Sequence, residues 1–138
     1  MSDKLVLFVE DNPDDVELTL LAFQQEKFPY KVVVAKDGQE ALDFLFAQGE
    51  HSGRDRSEMP ALVILDLKMP RVGGLEVLKA MREDRWLSYI VAVILTTSDE
   101  ERDHAEAEKL GANLYFKKPM NFGELCEIVR QIQRLIDP

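Results

Sequence analysis

The chain has 138 residues, a net charge of −9 and 46% apolar residues. That length fits a single domain, and the acidity disfavours nucleic acid or an anionic membrane as a direct partner, because either needs a basic footprint. One cysteine, Cys126, excludes an internal disulfide, and with no signal-like or long apolar segment the composition points to the reducing cytoplasm.

The first apolar run, Leu5 to Val9, stops at Glu10 and Asp11. Short runs rich in Val, Ile and Leu and separated by helical patterns read as buried parallel strands. Asn12-Pro13 then supplies an N-cap and a proline at the first helical position for a helix over about 13–26. A second strand at 31–35 leads to a helix at about 38–47. The stretch from Gln48 to Pro60 is longer than most links in compact α/β units. It reads either as a solvated insertion or as a partner-recognition loop.

The strand at 61–65 stops at Asp66, Val72-Gly-Gly74 after Pro70 allows a tight backbone path beside that strand end, and a helix follows at about 74–84. The strand at 90–95 stops at Thr96. Ser98 with Glu101 is a candidate capping box for a helix at about 99–110, and Gly111 suits a left-handed stop. The strand at 113–116 stops at Lys117 and Lys118, and a last helix runs over about 121–136. Five strand–helix repeats with short links predict a doubly wound α/β sandwich, a five-stranded parallel sheet with helices on both faces and right-handed crossovers.

In such a sheet the ligand site lies beyond the carboxyl ends of the strands. Glu10, Asp11, Asp66, Thr96 and Lys118 should therefore converge on one edge. Acids at 10 and 11 also favour the following helix N-terminus electrostatically, but Asn12 already fills the capping role. Asp66 is followed by Leu67-Lys-Met-Pro70 and not by a helix, so capping does not explain it. A carboxylate at a buried strand end is costly unless paired or bound to a metal, and Mg2+ suits a few carboxylates with a phosphate oxygen. Thr96 is either an ordinary β-branched strand residue or a hydroxyl donor to phosphate. Lys118 precedes Pro119, which pushes its backbone out of the helical region; both isomers of that bond are open. It reads as the counter-charge of the acid cluster.

His51 and His104 show no metal-ligand spacing and read as exposed. Cys126 reads as core filling, and Trp86 has no evident chemical role. In the last helix Leu125, Ile128, Val129, Ile132, Leu135 and Ile136 form a broad apolar stripe. The stripe serves either the core alone or, where it exceeds one sheet face, a homodimer through the fourth and fifth helices.

Glu10-Asp11, Asp66, Thr96 and Lys118-Pro119 in this order, with Leu65-Asp-Leu-Lys-Met-Pro70 and Gly73-Gly74, resemble the receiver domain of two-component response regulators over the whole chain. The loop before Pro60 and the segment Ile94 to Ser98 are similar to the small stand-alone receivers paired with bacterial phytochromes. The resemblance implies a flavodoxin-like fold of strand order 2-1-3-4-5 in one receiver domain spanning 1–138 without an output domain. It implies that Asp66 is the phosphoacceptor. Asp11 would bind Mg2+ directly, Glu10 through water, and the Lys68 backbone carbonyl would be a further ligand. Lys118 would pair with the phosphoryl group, Thr96 would move toward it, and Tyr115 would change rotamer with Thr96. Lys68 and Ser98 occupy positions that tune hydrolysis. Partners would be a sensor histidine kinase, with phytochrome-type kinases as candidates, and an unknown downstream protein. Such a domain is a switch with intrinsic self-phosphorylation and autodephosphorylation chemistry, not a turnover enzyme. A phosphorylation-independent interaction module would not need all five site groups. A phosphatase of the haloacid dehalogenase type is a poorer fit, because Lys68 stands where its second acid belongs. A flavin-binding flavodoxin is also poor, because no Ser/Thr/Gly-rich phosphate loop follows the first strand.

Overall fold

The structure, a computed structural model, describes residues 4–137. Five strands alternate with five helices: β1 (Leu5–Val9), α1 (Pro13–Gln25), β2 (Lys31–Ala35), α2 (Gly38–Phe46), β3 (Leu62–Leu65), α3 (Gly74–Glu83), β4 (Val91–Thr96), α4 (Glu101–Lys109), β5 (Leu114–Lys117) and α5 (Phe122–Ile136). The strands pair in parallel in the order β2-β1-β3-β4-β5, the flavodoxin-like order.

Side chains alternate across a strand, and the core divides accordingly. Leu7, Val9, Val63, Leu65, Ala92 and Ile94 point to one face, where they meet Phe44 and Leu45 of α2, Val77, Leu78 and Met81 of α3 and Ala107 of α4. Val6, Phe8, Leu62, Ile64, Val93 and Leu95 point to the other, against α1 and α5. Burying each of these larger apolar side chains contributes roughly 1.5–3 kcal/mol. The central strands need apolar residues at every position because both faces are covered.

The α5 stripe belongs to this second layer. Leu125, Ile128, Val129 and Ile132 are buried, and Leu135 and Ile136 pack partly buried against the same cluster. The stripe therefore does not exceed what one sheet face covers. Cys126 is buried beside it, as core filling.

Helix starts follow from the sequence with one exception. The Asn12 side chain accepts the N–H groups of Asp14 at 2.9 Å and Asp15 at 3.3 Å, with Pro13 in the first turn. Gly111 has φ 77°, the left-handed stop expected of it. The exception is α4, which starts at Glu101 with Glu100 as its N-cap and no side-chain cap. Ser98 makes no capping box with Glu101, because its hydroxyl is turned to Asp103, 2.7 Å away. Among the described residues no peptide bond is cis.

The stretch 48–60 opens with a single 3-10 turn, Gly49–His51. Arg54 lies over the Phe44 ring, 4.0 Å from its centroid, and donates to the carbonyls of Phe44 and Glu58. Arg56 pairs with Asp84. These charged side chains lace the segment to α2 and to the end of α3. His51, expected at the surface, is half-buried, with Nε2 3.3 Å from Glu40. His104 is exposed, as expected.

Candidate functional site

Register delivers the polar residues to one edge. Val9 pairs with Ala35 and with Leu65. The next amides continue these ladders: Glu10 N–H donates to Ala35 at 3.0 Å, and Asp66 N–H donates to Val9 at 3.1 Å. On the other side Thr96 pairs with Lys117, and Lys118 N–H donates to the Thr96 carbonyl at 2.7 Å. Glu10, Asp66 and Thr96 are buried, at 1%, 4% and 0% exposure, while Asp11 is exposed.

A glycine lets this edge form. A Cβ on Gly74, the first residue of α3, would stand 2.0 Å from the Asp66 carbonyl oxygen. The α3 backbone thus rests directly on the main chain of Asp66. This is the tight path that Gly73-Gly74 suggested.

Lys118 is the counter-charge. Its Nζ lies 2.7 Å from Glu10 Oε1, 2.8 Å from Asp15 Oδ2 and 3.1 Å from Asp66 Oδ2. Burial alone would lower its pKa, but the hydrogen bonds of Asp15 and Glu10 and the charge of Asp66 outweigh it, and the ammonium is held well above its ordinary range. Burial, followed by the Asp66 charge, pushes the Glu10 carboxyl up to about 7 against the opposing pull of Lys118. The other Glu10 oxygen accepts the Asn12 N–H at 3.1 Å.

Glu10, Asp11 and Asp66 each offer a carboxylate oxygen, and these oxygens lie within 4.8 Å of one another. The donors are all hard oxygens, two buried and one facing solvent. That set fits Mg2+, which keeps several waters and takes few protein carboxylates. Three acids this close also repel one another, and a divalent cation relieves the repulsion. Lys68 lies at the same edge, with its N–H donating to Asp66 Oδ1 at 3.4 Å.

On the α4 side, Thr96 Oγ1 accepts the Ser98 N–H at 3.3 Å. Tyr115 is half-buried and donates its hydroxyl to the Ser98 carbonyl at 3.0 Å. Its ring stacks on His104, with centroids 4.4 Å apart. Lys68 Nζ lies 3.0 Å from Asp103 Oδ2.

Seven of the eight residues singled out from the sequence thus stand at this edge, and the eighth, Tyr115, lies within β5 opposite Ile94 and reaches it only through its hydroxyl on the Ser98 carbonyl. Two acids were missed. Asp15 looked like an ordinary first-turn acid of α1, and its contact with Lys118 spans 103 positions of chain. Asp103 looked like one acid among several in a charged helix; only its burial, at 7% exposure, sets it apart. Nearby, Leu18, Met120 and Phe122 are exposed around the groove between α1 and the β5–α5 loop.

Residues 6–130 match the response regulator receiver domain family. Rcp1 of Synechocystis sp., a response regulator, is 33% identical over 130 residues, which is 94% of this chain and 86% of that protein. The Mn2+-bound form of Rcp1 superposes with a TM-score of 0.84 over 94% of this chain and 91% of that one, at 32% identity. The phosphorylated cyanobacterial phytochrome response regulator RcpA gives a TM-score of 0.86 at 34% identity, covering 97% of this chain and 94% of that one. The bacteriophytochrome response regulator AtBRR gives 0.80 at 42% identity, covering 94% and 92%. With its strand order, its acid cluster and its site lysine in place, this chain belongs to the response regulator receiver domain family.

Proposed function

We propose that the chain is a phosphorylation-dependent signalling switch. A sensor histidine kinase transfers a phosphoryl group to the Asp66 carboxylate, and the modified domain signals by binding another protein or by passing the group on. The observation that carries this reading is the position of Lys118 Nζ, 3.1 Å from Asp66 Oδ2, beside a carboxylate trio that fits a divalent cation. Phosphoryl transfer needs chiefly positioning and neutralisation of charge. Glu10, Asp11 and Asp66, with the Lys68 backbone carbonyl, would hold Mg2+, whose charge offsets that of the incoming phosphoryl oxygens. Lys118 then pairs with the phosphoryl group, and the Thr96 hydroxyl turns toward it. Tyr115, already bonded to the Ser98 carbonyl, follows with the β4–α4 loop. Such couplings are typically about 1–3 kcal/mol, enough to redistribute two states without refolding.

A kinase of phytochrome type is supported by the likeness to RcpA and AtBRR. A receiver that works without an attached output domain is supported by the near-complete coverage of Rcp1 and of those two chains. A cytoplasmic location fits this partner, and among the described residues no helix is long and apolar enough to cross a membrane. Nucleic acid and membrane surfaces stay outside the proposal, since the net charge is −9. A homodimer through α4 and α5 loses the apolar stripe as its support, because those residues pack in the core. A single monomeric species in sedimentation at high concentration, with and without phosphodonor, excludes it.

The test is incubation with acetyl phosphate and Mg2+ followed by intact mass. One added phosphoryl group is expected, dependent on Mg2+ and absent from Asp66→Asn. No added mass, or equal labelling of Asp66→Asn, would favour an interaction module that needs no phosphorylation.

A further inference from the structure

Asp103 sits in the first turn of α4 and is 7% exposed. Its Oδ2 accepts the Ser98 hydroxyl at 2.7 Å and lies 3.0 Å from Lys68 Nζ. The Ser98 hydrogen bond first, and the Lys68 bond next, hold its carboxyl below the usual range against the opposing effect of burial. Both partners flank the site. Lys68 follows Asp66 by two residues and directs its N–H at Asp66 Oδ1. Ser98 follows Thr96 by two residues and directs its N–H at Thr96 Oγ1. One buried carboxylate therefore ties the β3–α3 loop to the β4–α4 loop across the mouth of the site.

Resting on the phosphoacceptor reading above, we propose that Asp103 is a positioning residue for loss of the phosphoryl group: it draws the Lys68 ammonium toward α4 and keeps the face of Asp66 open to water. In the step concerned, the water oxygen bonds to phosphorus and the bond from phosphorus to the Asp66 oxygen breaks. The electron pair returns to the carboxylate, and the protons of the water leave with inorganic phosphate. Lys68 is a half-exposed cation on a flexible stem whose paired carboxylate in the structure is Asp103. Without that carboxylate, the strongest nearby anion is the phosphoryl group on Asp66. The ammonium then pairs with the phosphorylated ground state, and its stem lies across the line along which water attacks. Stabilising a ground state without its transition state slows the step.

The experiment follows phosphoryl loss by intact mass after acetyl phosphate is removed, in Mg2+ buffer. It compares the wild type, Asp103→Asn, Lys68→Met and the double variant. Asp103→Asn is expected to slow loss about fivefold or more, the low end of coupling between sites. In the Lys68→Met background the same substitution is expected to change nothing, because the cation it releases is gone. An equal effect in both backgrounds would mean that Asp103 only props the fold, and it overturns the proposal. So does an unchanged or faster loss in Asp103→Asn. Asp103→Ser, smaller and still able to partner Ser98, gives the same comparison if the asparagine variant does not fold. A wild-type chain that takes up no phosphoryl group overturns the switch reading and this assignment together. Normal labelling with loss indifferent to Asp103 overturns this assignment alone.

Discussion

Two lysines stand at the carboxyl edge of the sheet and are held in opposite ways. Lys118 is largely buried and shared among Glu10 just after β1, Asp15 in α1 and Asp66 just after β3. Lys68 is more than half exposed and, among the described residues, is paired with Asp103 alone. A cation caged by three carboxylates has nowhere better to go, and its place is set before any ligand arrives. A cation with one carboxylate on a solvent-facing stem can exchange that partner when a stronger anion appears. In the proposed switch the fixed charge would wait for the phosphoryl oxygens, and the loose one would regulate how long they stay.

Removing the caged cation breaks this contrast hardest. Lys118→Met leaves Glu10 and Asp66 buried without a counter-charge, and losing one partner of a buried ion pair costs about 3–5 kcal/mol. Urea unfolding without metal should show a loss of that order, and saturating Mg2+ should recover part of it. Gly74→Ala strikes the floor under both lysines. A methyl 2.0 Å from the Asp66 carbonyl oxygen has to displace main chain, so the loss should reach the top of the roughly 1–3 kcal/mol typical of overpacking. Mg2+ titration of this variant should show weakened binding.

Glu10 supplies the pH test. Folded Glu10 keeps its proton up to about 7, against 4.5 for the free side chain. Between those values the folded chain binds more protons than the unfolded one at this residue, so its contribution to metal-free stability falls as pH rises. Mg2+ competes with the same proton, so its affinity should rise with pH by up to about tenfold per unit and level off above 7. Glu10→Gln should flatten both trends, read by thermal melts and Mg2+ titration across that window. Lys68→Met should do least. The Lys68 ammonium faces solvent and Asp103 keeps the Ser98 hydroxyl as a partner, so a melt showing a loss near that of Lys118→Met would erase the distinction between the two lysines.

The parallel sheet and the edge cluster were legible because β1, β3 and β4 are apolar throughout and each stops at a polar residue, whereas the strand order followed only from the family resemblance. That pattern needs no knowledge of the partners. What lay hidden depended on contacts between distant segments. Asp15 and Asp103 look like any acid in the first turn of a helix, where negative charge is favoured anyway. Ser98 had the spacing of a cap, but a buried carboxylate competed for its hydroxyl and the helix began two residues later than expected. The α5 stripe left core and dimer readings open, because the sequence does not show that it packs with α1 in one layer. His51 looked exposed because Glu40 and the Phe44 ring reach it from a different element.

The short bond from the Lys118 amide to the Thr96 carbonyl has its own mechanical meaning. It makes the ends of β4 and β5 a shared rung, so neither main chain can advance without the other. In the switch proposed above, movement at this edge would therefore fall to side-chain rotation and to the loop between β4 and α4, over strand ends that are tied together.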